Sequence, residues 1–253
     1  DVNGVTTGSV NSVAPTGAVT VDAAGVAQAD ETVTYTDSGS ASAVTIGATN
    51  PFGEATVTTS TTGDVQVDSI TANVTANSST GTVSVADATG DVATVSATSA
   101  STITVAATDS ATVTGGAAGT IEVDADTSVI TAGSATTITV DDATHSDGTT
   151  DAGVTTITST AAAVELDLGN TTALTTATAT VAAGSTVTLA AGHDAPTLAL
   201  NSAGAVTLAP ADMDDIDGDT ITTTASSLTI TGDLSTMAAA VDLGAVDFTN
   251  LNV

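Results

Sequence analysis

Residues Val65–Val140 read VQVDSITANVTANSSTGTVSVADATGDVATVSATSASTITVAATDSATVTGGAAGTIEVDADTSVITAGSATTITV. Short apolar beats recur about every 9 residues, separated by Asp, Gly, Ser, Thr and Ala. Strong beats alternate with weak ones. The strong beats are Val65/Val67, Val83/Val85, Ile103/Val105, Ile121/Val123 and Ile138/Val140; the weak ones are Val74, Val92/Val95, Val113 and Val129/Ile130. The repeat is therefore the pair, roughly 17–20 residues long, the size of one coil of a solenoid. Within each strong beat the apolar residues stand at i and i+2, so both point to one face of a strand. The expected fold is all-β: a β-solenoid (β-helix-like) with short strands every ~9 residues. Paired β-sandwich modules are the alternative, because strands at 8–12-residue spacing also fit Ig-like domains.

The same rhythm extends outward in both directions. Residues 1–30 are rich in Gly and Ser and read as an N-terminal arm or a first irregular coil. Residues 31–140 form the regular β-repeat region, and 141–253 a second one that shifts from Val and Ile toward Leu and carries acidic loops. Asn50-Pro51-Phe52-Gly53 interrupts the beats and reads as a protruding turn. Ser235–Ala240 could start one short helix with Ser235 as N-cap. No sustained 3.6-residue periodicity occurs elsewhere. A solenoid has two open ends whose unpaired backbone invites pairing with other molecules. No strong cap is read at either terminus, which predicts assembly.

Composition narrows the function. The 253 residues include 29 Asp and Glu but no Lys or Arg, a formal charge of −29. No side chain can neutralise a phosphate, so nucleic-acid binding is excluded, and anionic membranes repel the chain. Its carboxylates must face water, accept neutral hydrogen bonds or bind cations. The lack of Lys and Arg also removes every site for a trypsin-like protease, as suits an exposed extracellular protein. Cysteine is absent, so neither disulfides nor thiolate metal sites contribute. No apolar run of about 18 residues exists, and no transmembrane helix is expected. Aromatics are only Tyr35, Phe52 and Phe248; a core of small β-branched residues suits thin stacks of strands.

The densest acidic run holds Asp212, Asp214, Asp215, Asp217 and Asp219. Ca²⁺ takes several carboxylate and carbonyl oxygens, with a Gly for the sharp turn, and Asp215-Ile216-Asp217-Gly218-Asp219 supplies part of that pattern. It is not an EF-hand loop, because Met213 and Thr224 stand where the first and last ligands belong. Asp141, Asp142, Asp147 and Asp151 form a second candidate. A solvated acidic turn is the competing reading of both. His145 and His193 lack the spacing of zinc ligands and read as surface residues. Asn73, Asn77 and Asn170 head N-glycosylation sequons. Paired carboxylates could serve a β-helical glycoside hydrolase, but the chain lacks the aromatic platforms of a sugar cleft, and the expectation is no enzyme. Thr-x-Thr units such as Thr34–Thr36, Thr220–Thr222 and Thr229–Thr231 suggest an ice-binding face. Along the chain they do not recur at the coil period, which leaves that reading as an alternative.

Segments such as TGTVSVADATG (80–90) and AATDSATVTGGAAGT (106–120), with the Ala/Thr/Val/Gly/Ser/Asp bias and the missing Cys, resemble bacterial S-layer and β-strand-repeat surface proteins over nearly the whole chain. The DIDGD run also resembles loops of Ca²⁺-binding adhesins and RTX-type proteins, although the RTX nonapeptide itself is absent. The resemblance implies an extracellular lattice or fibre that often depends on Ca²⁺ to assemble. The expected protein is a secreted, cell-surface, non-enzymatic structural subunit that polymerises with itself, is stabilised by Ca²⁺ and is anchored to a surface glycan. An adhesin stalk or ice-binding solenoid is the alternative.

Overall fold

The computed structural model describes residues 2–13, 15–24, 28–39, 42–86, 92–117, 119–141, 153–169, 174–190, 197–210, 220–231 and 251–252. Among them every strand pairing is parallel and there is no helix. The strands stack into two ladders, as a β-solenoid. Sheet A contains β1 (Val2–Val5), β3 (Val19–Ala23), β5 (Ala43–Ile46), the start of β7 (Asp64–Thr75), β8 (Thr82–Ala86), β10 (Thr102–Ala106) and β12 (Thr120–Asp124). It continues through β14 (Thr137–Asp141), β16 (Ala163–Leu168), β18 (Thr186–Leu189), β20 (Ala205–Pro210), β22 (Ser227–Ile230) and β23 (Leu251–Asn252). Sheet B contains β2 (Thr7–Ser12), β4 (Gln28–Asp37), β6 (Phe52–Thr58), the end of β7, β9 (Val92–Ser96) and β11 (Ser110–Gly115). It ends with β13 (Thr127–Ala132), β15 (Val154–Ser159), β17 (Thr176–Val181), β19 (Thr197–Asn201) and β21 (Thr220–Thr223). Parallel pairing throughout rules out the antiparallel β-sandwich. With rungs about 4.8 Å apart, the sheet B ladder is on the order of 50 Å long.

The alternation of strong and weak beats is the alternation of the two sheets. The strong beats are the inward positions of sheet A, aligned rung on rung: Val65 on Val83, Val83 on Ile103, Ile103 on Ile121 and Ile121 on Ile138. All five are essentially inaccessible to solvent. Sheet B points a smaller set inward. Ala72, Ala93 and Ala111 form one column, and Val74, Val95, Val113, Ile130 and Ile157 the next. From β7 onward, a large-facing sheet and a small-facing sheet fill a thin interior without aromatic side chains. Where sheet A carries Val164, Leu166 and Leu168, sheet B of the same coil carries Ala177 and Ala179, which keeps the volume constant.

The two edges of the solenoid differ. Links that lead from sheet B back to sheet A are short, from three residues (160–162) to six (76–81). Their hydroxyls tie each coil to the one before. Ser79 donates to the Gly63 carbonyl at 2.7 Å, Ser101 to Gly81 at 3.1 Å, Thr136 to Gly119 at 2.8 Å and Ser185 to Ala161 at 2.9 Å. The Ser, Thr and Gly between beats are thus corner chemistry, adding hydroxyl hydrogen bonds to corner carbonyls of the preceding coil. Gly133 sits there because a Cβ would lie 2.3 Å from the Gly116 carbonyl oxygen. The links from sheet A to sheet B carry the variation. Residues 125–126 join β12 to β13, whereas 142–153 join β14 to β15 and 211–219 join β20 to β21.

Two local expectations meet the structure here. β1 and β2 ladder onto β3 and β4, so the N-terminal residues continue the stack. The NPFG segment is not a protruding turn: Phe52 opens β6 and is fully buried in the core. An aromatic ring among so few gains more from burial than a loop tip offers. Ser235–Ala240 lies outside the described residues.

Candidate functional surfaces

The outer faces of the two sheets differ in charge. From the end of β7 through β9, β11, β13, β15, β17 and β19, sheet B carries no Asp or Glu in any strand. Over the same coils sheet A carries Asp64, Asp68, Glu122, Asp124, Asp141, Glu165 and Asp167. Like charges on neighbouring rungs raise the cost of ionisation. Asp124 stacks on Asp141 in register. Its carboxyl is held above the ordinary Asp value chiefly by burial, then by the charges of Asp141, Asp126 and Glu122. Burial alone raises Asp68.

Other carboxylates are held by hydrogen bonds. Asp37 is buried at the end of β4, where Thr59 Oγ1 donates to its Oδ2, and the backbone N–H and hydroxyl of Ser60 donate to its Oδ1 at 3.2 and 3.1 Å. Burial, then the charge of Asp37, push the Tyr35 phenol up to about 12. Asp22 accepts from the Thr49 N–H at 2.9 Å, beside an open depression of about 400 Å³ lined by Asn3, Thr20, Ala23 and Asn50.

The candidate metal residues Asp212, Asp214, Asp215, Asp217 and Asp219 lie outside the described residues, as do Asp142, Asp147, Asp151, His145, His193 and Asn170. Asp141 is described and half-buried at the end of β14. Among the described residues no three acidic or histidine side chains converge as a Ca²⁺ centre requires. The stacked Asp124–Asp141 pair alone does not build such a centre. In chain order, each acidic run falls between a strand of sheet A and one of sheet B. Asn73 is exposed on the outer face of sheet B. Asn77 lies in a corner, where its Oδ1 accepts from Ser96 Oγ at 2.9 Å and the Thr98 N–H at 3.1 Å.

The sequence reading missed the order of the threonines. Thr-x-Thr units do recur at one register in sheet B, in five of eight consecutive coils, with Asn73, Ser96 and Val129 as the departures. One outward column runs Thr34, Thr56, Asn73, Thr94, Thr112, Val129, Thr156 and Thr178, and its neighbour Thr36, Thr58, Thr75, Ser96, Thr114, Thr131, Thr158 and Thr180. The coils differ in length because their links differ, so a fixed period along the chain hides the register. Aligning the weak beats instead of counting residues brings it out.

The chain matches no protein-family model, no curated protein and no solved structure. Among the described residues no helix is long and apolar enough to cross a membrane. Function therefore rests on the two surfaces themselves.

Proposed function

We propose that this chain is a secreted, non-enzymatic structural protein of the cell surface that assembles with copies of itself into a layer or filament. The observation that carries this reading is how the chain is spent. One repeated ladder with a side-chain-filled interior accounts for the described residues, and its two faces differ in charge. Such an object is a building unit with addressable sides. A formal charge of −29 without a single Lys or Arg opposes association. Cations, with Ca²⁺ proposed at Asp212–Asp219, would lower that repulsion, and salt screens the remainder beyond about 8–10 Å. The composition, free of Cys and of trypsin sites, supports an extracellular location, and a surface glycan is the proposed anchor. Negative-stain electron microscopy of the purified chain, with and without millimolar Ca²⁺, tests the reading. Regular sheets or filaments that lose order on chelation are expected; dispersed rods in both conditions would refute it.

One observation favours a second reading. The in-register Thr columns of sheet B form a net about 4.8 Å by about 7 Å, hydroxyl beside methyl and free of charge, which suits an ice-binding solenoid. Thermal hysteresis and ice shaping by monomeric protein would support it, and their absence would remove it.

A further inference from the structure

We infer that the outer face of sheet B is where two copies of this chain join, an inference that rests on the self-assembly reading and names its contact. Charge limits the choice of surface. No basic residue exists to pair with a carboxylate, so two copies approach at lowest cost where neither presents one. The face formed by the end of β7 and by β9, β11, β13, β15, β17 and β19 meets that condition over seven consecutive rungs. The opposite face carries seven carboxylates over the same coils and repels its own copy.

The second argument is the position of exposed apolar side chains. Among the described residues five large hydrophobic side chains are exposed, and three of them lie on this face: Val92, Val129 and Val154, each 40–43% accessible. They fall on β9, β13 and β15, in the middle of the charge-free span. Val129 aligns with Thr156 and Val154 with Thr127 on adjoining rungs, so these two valines are diagonal neighbours. Threonines surround them. An apolar centre inside a polar rim, with the exposed Asp109 only at its margin before β11, is the anatomy of a protein interface.

The area suffices. Seven rungs at about 4.8 Å, with strands of about six residues at about 3.3 Å, give a face of roughly 30 by 20 Å. Pairing two of these would bury on the order of 1,200 Å² in total, at the lower end of specific interfaces. The pairing would be isologous, the valine patch of one copy against that of the other across a two-fold axis. Sheets packed in this way lie about 10 Å apart, within reach of Val and Thr side chains from both sides.

The native chain has no Cys, so single-Cys variants give an unambiguous readout. Thr156→Cys marks the sheet B face and Thr104→Cys the sheet A face; each full-length variant is treated with a short bifunctional maleimide. Covalent dimer from Thr156→Cys, and at least tenfold less from Thr104→Cys, is expected. In parallel, Val129→Asp is compared with Thr104→Asp by sedimentation velocity, with far-UV circular dichroism as the fold control. The first should weaken self-association at least tenfold and the second should leave it unchanged. Equal cross-linking from both faces, or unaltered association of a folded Val129→Asp, overturns the inference. If regular arrays still form in that case, the structural reading stands without this contact. If dimers cross-link through sheet B but no array forms, the contact stands and the structural reading fails. A wild-type monomer that shapes ice overturns the inference in favour of ordered water on this face.

Discussion

Replacing Ile121 by Ala tests the central packing claim. Ile121 is fully buried in β12, in register between Ile103 and Ile138. The substitution deletes three carbons, worth about 0.8 kcal/mol each on transfer from water, and leaves a cavity between two stacked side chains. The total loss is expected to be about 3–4 kcal/mol. Ile121→Val should cost about 1 kcal/mol. Thr104→Ala, outward on the neighbouring rung, should stay within about 0.5 kcal/mol. Urea unfolding followed by far-UV circular dichroism gives the ranking. Because each coil touches only its neighbours, the damage should also be local. Amide exchange should quicken in β10, β12 and β14 and remain slow in β18 and β20. Equal costs for Ile121→Ala and Thr104→Ala would refute the inward register of sheet A. Uniform loss of protection along the ladder would refute nearest-neighbour stabilisation.

Three further outcomes follow from the corners, a buried hydroxyl and the acidic face. Gly133→Ala places a methyl against the backbone of the preceding coil and should destabilise by about 1–3 kcal/mol, whereas Gly17→Ala, with open space around it, should be neutral in the same urea assay. Thr155 is fully buried in sheet B and its hydroxyl has no hydrogen-bond partner. Thr155→Val should therefore raise stability by about 1 kcal/mol, and a loss of that size would show that the hydroxyl is satisfied. Asp68 and Asp124 have folded values above the ordinary 3.8. The folded state thus binds protons more tightly than the unfolded chain, so stability rises as pH falls through the folded values and levels off below the unfolded one. The urea midpoint should be higher near pH 4 than near pH 7, and Asp124→Asn should flatten that slope.

The coil repeat was legible because Val, Ile or Leu stand at i and i+2 in nearly every strand of sheet A. Ile103, Ile121 and Ile138 announce their own stacking. Sheet B was fainter because its inward residues include Ala72, Ala93 and Ala111, which carry little apolar signal. The register of its outward threonines was hidden, since 2 residues separate β12 from β13 and 12 separate β14 from β15. Phe52 was misread because Pro51 beside it is turn chemistry, and burial of the ring decides otherwise. Charge segregation was invisible to composition. Whether Glu122 or Thr112 faces a given side depends on which sheet each strand joins, and only the pairing settles that.

Concentrating the larger length changes in the links from sheet A to sheet B affects how such a chain can change over time. Links of 2 residues (125–126) and 12 residues (142–153) both deliver the next strand to the ladder in register, so length here is uncoupled from the core. The opposite edge, with Gly133 against Gly116 and hydroxyls bound to carbonyls of the preceding coil, keeps its links within three to six residues. One side of the molecule is thus free to diversify while the other conserves the spacing. Anything grafted onto the permissive side is displayed in rows at the pitch of the ladder, independent of its own length.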